Sequence, residues 1–266
     1  IKRCLNIGCV FCYSWRAWCI IFSVFIWEVH MFKHFNLNTN GRDFFVGDIH
    51  GCFYLLDEAM LRVGFDERVD RLFSVGDLID RGEFSEQVVD WLARPYFHAV
   101  RGNHEQTLLD AHAKKVDEDF HRMLGGDWWY DLDLPQAYKQ NITDAVEALP
   151  LMLSVDTAQG AIGLVHAEVW GYDWARARRI LNEPNTVYYD QLLTSSLWRR
   201  SKILHNDRAH VSGVDVVVVG HTPVEHIQAL GNVVYLDTGV GYSDFEQTVH
   251  LTPAHVLFEV VSQGQA

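Results

Sequence analysis

From residue 43 onward, short apolar runs alternate with segments in which apolar residues recur at helical spacing. The apolar runs predict strands, and the periodic segments predict helices between and after them. The strands are predicted at 43–46, 71–75 and 97–100, and the helices at 53–63, 85–94 and 105–116. Ser85 is the expected N-cap of the second helix. This β-α-β-α-β order is typical of a parallel sheet covered by helices.

The second half of the chain is less regular. Residues 117–150 are helical and loop-like in pattern, and residues 170–210 lack a strand pattern, so we expect an insertion over the sheet there. Further strands are predicted at 151–155, 161–165, 214–219, 233–236 and 256–261.

The first thirty residues differ from the rest. Four of the five cysteines precede residue 28, and Met31 is the first methionine. The apolar stretch 17–27 is too short to span a bilayer, which needs about 20 residues. We expect residues 1–30 to be an N-terminal extension outside the domain, with translation beginning at Met31. The remaining chain keeps only Cys52, which is typical of a reduced, cytoplasmic protein.

Composition excludes several classes of protein. The 266 residues are 48% apolar and 21% charged, and no heptad run is visible, which argues against disordered and coiled-coil chains. The net charge of −13 disfavours nucleic acid as a partner. No stable membrane association is expected.

Metal-ligating residue types follow five of the predicted strands. The motifs are Gly47-Asp48-Ile49-His50-Gly51, Gly76-Asp77-Leu78-Ile79-Asp80-Arg81-Gly82, Arg101-Gly102-Asn103-His104-Glu105, His166, and Gly220-His221-Thr222-Pro223. Because ligands bind beyond the carboxyl ends of strands in α/β sheets, five such endings predict one shared site.

The residue types in these motifs suit a pair of cations. Asp48 and His50 can share one ion, and the two carboxylate oxygens of Asp77 can bridge two. The second ion would be completed by Asn103, His166 and His221. Carboxylate, amide and imidazole ligands without thiolate favour two divalent ions, Mn²⁺ first, with Fe²⁺ or Zn²⁺ as alternatives. Paired metals of this kind activate water and clamp a phosphoryl group.

Together these motifs resemble the metal-dependent serine/threonine protein phosphatase family, within the calcineurin-like metallophosphoesterase superfamily. The compact phage and enterobacterial branch is the most similar, and the resemblance covers nearly everything after residue 40. It implies an α/β fold, a four-layer αββα sandwich, with residues 31–266 as a single catalytic domain. The dinuclear site is expected at one sheet edge.

The resemblance also implies roles for individual residues. His104 would protonate the leaving oxygen and Asp80 would orient it, while Arg81 and Arg200 would bind the phosphate. The expected reaction is direct attack of a dimetal-bound hydroxide on phosphoserine or phosphothreonine in phosphoproteins or phosphopeptides. Phosphotyrosine is an expected secondary substrate.

Other functions fit the motifs less well. A symmetrical dinucleoside tetraphosphate hydrolase of the same superfamily shares G-D-x-H-G, but Asp80 and Glu105 favour the phosphatase. A non-catalytic binding module has little support, because every expected catalytic position is filled. The Trp128–Trp129 pair is interpreted as packing and Asp237-Thr238-Gly239 as a supporting turn. The ten remaining histidines are interpreted as structural.

Overall fold

The computed structural model describes residues 31–184 and 186–264. The prediction of an extension over residues 1–30 therefore concerns residues outside the described part of the chain. Among the helices that are described, none combines the length and the hydrophobicity needed to cross a bilayer.

Within residues 31–184 and 186–264, ten strands form two sheets. They are β1 (Phe32–Phe35), β2 (Asp43–Val46), β3 (Arg71–Ser74), β4 (Phe97–Ala99), β5 (Met152–Asp156), β6 (Ala161–Val165), β7 (Val216–Val219), β8 (Gln228–Leu230), β9 (Val233–Tyr235) and β10 (Thr252–Pro253). One sheet has six strands in the order β1-β5-β6-β7-β9-β8, and the other has four in the order β10-β2-β3-β4.

In the described part of the chain, ten α-helices connect and cover the strands. They are α1 (Phe53–Val63), α2 (Val88–Leu92), α3 (Asn103–His112), α4 (Glu118–Met123), α5 (Asp127–Asp131), α6 (Gln136–Glu147), α7 (Trp174–Ile180), α8 (Val187–Trp198), α9 (Ser201–Leu204) and α10 (Ala254–Gly264). Short 3₁₀ turns lie at Ser85–Gln87 and Trp170–Tyr172.

The strand order explains how distant motifs approach one another. Strands β2, β3 and β4 are mutually parallel, as the sequence predicts, and β6 and β7 are parallel in the larger sheet. Parallel neighbours end at the same edge of a sheet, so the segments that follow them are neighbours as well.

Three apolar layers hold the fold together. The middle layer packs the two sheets face to face, for example Phe45 and Phe73 with Leu153 and Val218. Helices α1, α2, α3 and α6 cover the outer face of the smaller sheet, and α7 and α8 cover that of the larger one. This arrangement confirms the predicted αββα sandwich and places residues 170–210 over the larger sheet.

Two local predictions are wrong. The strand predicted at 256–261 is helix α10, whose Leu257 and Val261 are buried one turn apart. Its valines and phenylalanine favour a strand, but packing of one face on the larger sheet decides the conformation. Ser85 is not an N-cap; its hydroxyl accepts a hydrogen bond from the Asp80 backbone N–H at 2.9 Å. Strand β1 lies outside every predicted element.

Replacement of a core residue in α1 tests the outer apolar layer. Leu56→Ala should lower the free energy of unfolding by about 2–5 kcal/mol, because Leu56 is fully buried against the smaller sheet. Leu61→Ala is the matched control in the same helix, since Leu61 is 82% exposed, and should change stability by less than about 0.5 kcal/mol. Urea unfolding measures both, and equal effects would contradict this packing.

Candidate metal centre

The predicted ligands meet where the two sheets come together. Asp48, Asp77 and Asn103 follow strands of the smaller sheet, whereas His166 and His221 follow strands of the larger one. The backbone N–H of His221 donates to Asp48 Oδ2 at 3.1 Å and thereby joins the two sheets at this point. All six predicted metal ligands are buried, none more than 4% exposed.

Two glycines allow ligand side chains to come this close. A Cβ at Gly102 would overlap Asp77 Oδ1, and a Cβ at Gly220 would overlap Asp48 Oδ1. A side chain at either position would therefore displace a candidate ligand, which explains why glycine precedes Asn103 and His221.

Backbone carbonyls fix the tautomers of three histidines. His50 Nδ1 lies 3.0 Å from the Ile79 carbonyl, His166 Nδ1 2.9 Å from that of Val75, and His221 Nε2 3.1 Å from that of Trp198. A carbonyl only accepts, so each of these nitrogens carries the ring proton. The other nitrogen of each ring faces the centre, the position from which a neutral imidazole ligates a metal.

These nitrogens converge on Asn103. His166 Nε2 and His221 Nδ1 each lie 2.9 Å from Asn103 Oδ1. Two imidazoles and an amide oxygen at one point are ligand types that a divalent cation accepts, so these residues fit one.

Asp77 connects two such clusters. Its Oδ2 lies 3.4 Å from His166 Nε2 and 3.9 Å from His50 Nε2. Two groups of side chains each place potential ligand atoms within 4.8 Å of one another, and Asp77 belongs to both. The first group is His50, Asp77 and His104, and the second is Asp77, His166 and His221. Asp48 Oδ2 lies 4.0 Å from His50 Nε2, within reach of the first group. The geometry accordingly suits two cations bridged by Asp77.

The charges and pKa values of the candidate ligands also favour cations at this centre. Burial lowers the pKa of His50 and lowers that of His221 to about 3, so both rings are neutral and able to ligate. Burial and the nearby carboxylates of Asp237 and Asp77 raise the pKa of Asp48. Cations at this position would offset that crowding of buried negative charge.

His104 differs from the other histidines in its partner. Its Nδ1 lies 2.8 Å from Asp80 Oδ2, and its Nε2 faces the centre, 3.8 Å from Asp77 Oδ2. Although burial opposes the shift, hydrogen bonds from His104 and His121 lower the pKa of Asp80 to about 2. An ionised carboxylate at Nδ1 fixes the orientation of the His104 ring, which suits a proton donor.

Both predicted phosphate-binding arginines border the centre. Arg81 Nη1 contacts His50 Nε2, and its guanidinium lies over the Tyr242 ring at 4.0 Å. Arg200 Nη2 donates to the His221 carbonyl at 3.1 Å. The structure therefore brings all ten predicted site residues to one place.

Unusual backbone conformations concentrate at this centre. Among the described residues, eight non-glycine residues have positive φ, and five of them are predicted site residues: His50, Asp77, Asp80, Arg81 and His221. Each costs of order 1–3 kcal/mol and persists only where surrounding contacts fix it. Contacts with the rest of the fold therefore hold these loops in backbone conformations that are unfavourable for an isolated chain.

Glu105 is one of the residues that fix these loops. Its buried carboxylate accepts backbone N–H groups of Asp77 at 3.0 Å, Leu78 at 2.7 Å and Gly102 at 2.7 Å. Burial and Asp77 raise the pKa of Glu105 to about 7. Because these donors come from two motifs, Glu105 ties the Asp77 loop to the start of α3.

Several contacts at the centre are not apparent from the motifs. Trp128 packs as predicted, but its Nε1–H also donates to Asp80 Oδ1 at 2.7 Å. His121 contacts the same oxygen at 3.3 Å. Asp237 accepts the Gly239 N–H at 2.8 Å, as expected of a turn, yet it also lies near enough to Asp48 to influence its charge. The available signal for Trp128 is its position in the part of the chain after residue 40 that resembles the phosphatase family.

Comparisons with known proteins agree with this geometry. A family model described as "Calcineurin-like phosphoesterase" matches residues 44–225. The chain is 36% identical over 198 residues to serine/threonine-protein phosphatase 1 of Salmonella typhimurium, covering 73% of this chain and 84% of the relative. A symmetrical bis(5'-nucleosyl)-tetraphosphatase of Hamiltonella defensa is 42% identical, but over only 27% of this chain and 26% of its own length.

A solved structure supports the fold. A protein serine/threonine phosphatase from Saccharomyces cerevisiae superimposes with a TM-score of 0.55 at 14% identity, covering 90% of this chain and 89% of that one.

Shortening Glu105 tests its role in the loops. Glu105→Asp withdraws the carboxylate by one methylene, so it should lose at least one of the three backbone donors and lower the free energy of unfolding by about 1–3 kcal/mol. Glu58→Asp on the exposed face of α1 is the control and should change stability by less than about 0.5 kcal/mol. Denaturant unfolding measures both, and an unchanged Glu105→Asp protein would show that these bonds do not hold the loops.

Proposed function

Because this chain belongs to the calcineurin-like phosphoesterase family, we propose that it is a metal-dependent phosphatase acting on phosphoserine and phosphothreonine in proteins. Phosphotyrosine is proposed as a secondary substrate. The similarity to serine/threonine-protein phosphatase 1 of Salmonella typhimurium over most of both chains supports this choice of substrate.

One juxtaposition carries the proposal. A histidine backed by an ionised carboxylate, His104 with Asp80, lies beside carboxylate and imidazole side chains whose arrangement fits two cations. A phosphate monoester of serine needs both features, because the phosphoryl group is anionic and an alkoxide leaves poorly without a proton.

The cation ligands are proposed by position. Asp48, His50 and Asp77 would hold one ion; Asp77, Asn103, His166 and His221 would hold the second. When bound, the cations supply Lewis acidity at the phosphate and make water a better nucleophile. We propose Mn²⁺ as the ion, since the ligands are oxygen and imidazole nitrogen without thiolate.

His104 supplies the proton that the leaving group needs. Its Nδ1–H is held by Asp80, so a proton on Nε2 faces the centre. As the P–O bond to serine breaks, the serine oxygen takes this proton and departs as a neutral hydroxyl. The Asp80 carboxylate stabilises the protonated ring before transfer.

Arg81 and Arg200 complete the binding of the phosphoryl group. Guanidinium groups donate paired hydrogen bonds to phosphate oxygens. Stacking of Arg81 on Tyr242 restricts its rotation and keeps its N–H groups at the edge of the centre.

Hydrolysis of dinucleoside tetraphosphates is the second candidate. The similarity to the Hamiltonella defensa enzyme favours it over a segment of 74 residues. Both reactions would require the same cations, so a comparison of the rates on the two substrates distinguishes the two candidate functions.

Removal of metal should abolish activity. Chelator-treated protein is expected to hydrolyse neither p-nitrophenyl phosphate nor a phosphoserine peptide, and added Mn²⁺ should restore both reactions. Ion binding should also raise the thermal midpoint, since at 100 times Kd it adds about 2.7 kcal/mol of stability. Activity without metal, or no activity after reconstitution, would refute the proposed function; faster hydrolysis of diadenosine tetraphosphate would favour the second candidate.

Substitution of the proposed acid separates proton transfer from metal binding. His104→Asn should lower turnover of a phosphoserine peptide by about 10²–10⁴-fold while metal content, measured by mass spectrometry, is unchanged. His112→Asn, at the exposed end of the same helix, is the control and should retain full activity. A matching loss of bound metal in His104→Asn would identify His104 as a ligand instead.

A further inference from the structure

The Asp80 carboxylate is bonded on both of its oxygens. It is completely buried, and the bond from Oδ2 to His104 Nδ1 accounts for one side only. On the other side, Oδ1 accepts from Trp128 Nε1–H at 2.7 Å and contacts His121 Nε2 at 3.3 Å. The proposed mechanism uses neither Trp128 nor His121.

The protonation of His121 follows from its neighbours. A carboxylate oxygen only accepts, so His121 Nε2 carries a proton. Its Nδ1 lies 3.2 Å from the Tyr130 hydroxyl, which can donate to it. His121 thus donates to Asp80 Oδ1 through Nε2, as Trp128 does through Nε1.

Two donors on one oxygen restrict the rotation of the Asp80 carboxylate. The N–H groups of Trp128 and His121 both reach Oδ1, which leaves Oδ2 directed at the His104 ring. Asp80 thus has one oxygen fixed and the other bonded to the proposed proton donor.

The segment that carries these donors is itself tied to the Asp80 loop. Asp80 and Arg81 both have positive φ, 71° and 69°. The Arg81 N–H donates to the Gly125 carbonyl at 2.9 Å, and His121 packs directly on Gly126. The loop and α4–α5 therefore form one unit behind His104.

We propose that Trp128 and His121 are positioning residues that hold the Asp80 carboxylate so that it orients His104 for proton donation. This inference rests on the proposed function, because the orientation of His104 affects the rate only where His104 protonates a leaving oxygen.

Leaving-group dependence tests the proposal. Phenyl phosphate has a poorer leaving group than p-nitrophenyl phosphate and depends more on protonation. Trp128→Phe keeps an aromatic ring but removes the N–H; it should lower kcat on phenyl phosphate by about tenfold or more and on p-nitrophenyl phosphate by less than about threefold. Trp129→Phe is the matched control, buried beside Trp128 without a bond to Asp80, and should leave the ratio of the two rates unchanged.

A spectroscopic readout does not depend on activity. In the zinc-loaded protein, the His104 Nδ1–H proton should give a downfield, slowly exchanging NMR signal that is absent from His104→Asn. This signal should shift or disappear in Trp128→Phe and stay in place in Trp129→Phe. His121→Leu should alter it in the same direction as Trp128→Phe.

The results distinguish a failure of the proposed phosphatase function from a failure of the positioning role of Trp128 and His121. If the wild-type protein hydrolyses neither ester with metal bound, the proposed function fails, and the NMR comparison still decides whether Trp128 positions His104. If the wild type is active but both rates fall equally in Trp128→Phe, or the His104 signal is unchanged, the positioning role is overturned.

Discussion

The meeting of ligand-type side chains from both sheets at one point is the constraint on which the rest of this structure depends. His166 and His221 each direct one ring nitrogen at a backbone carbonyl, and their other ring nitrogens lie 2.9 Å from Asn103 Oδ1. Burying polar groups this close together is costly unless surrounding contacts hold them there. The packed middle layer between the two sheets and the glycine at position 102 supply such contacts. The fold itself thus determines the geometry of the candidate metal centre.

Adjacent residues at the start of α3 have different partners. Asn103 faces imidazoles whose other ring nitrogens contact backbone carbonyls, an arrangement that suits ligation. His104 instead contacts the Asp80 carboxylate through Nδ1, an arrangement that suits proton donation. One helix start thus presents a proposed metal ligand and a proposed proton donor side by side. The group behind each side chain distinguishes a candidate ligand from a candidate acid, which sequence position alone does not.

Much of the site and the smaller sheet could be predicted from the sequence because local pattern and tertiary context agree there. Helix α1 and strand β6 have their predicted bounds, and the five strand endings meet as expected. Prediction failed where packing decided the outcome. Helix α10 has the composition of a strand, but its apolar face lies on the larger sheet. The bonds from Trp128 and His121 to Asp80 join residues 48 and 41 positions apart, a distance at which neither periodicity nor spacing carries a signal.

The contact between His221 and Asp48 spans 173 positions of the chain. During translation, the β-α-β-α-β unit that carries Asp48, Asp77 and Asn103 leaves the ribosome well before His166 and His221 do. A nascent chain therefore holds only part of the proposed ligand set, and the remaining candidates arrive with the larger sheet. The complete candidate centre is thus a late product of biosynthesis, since it needs a polypeptide that has emerged past residue 221.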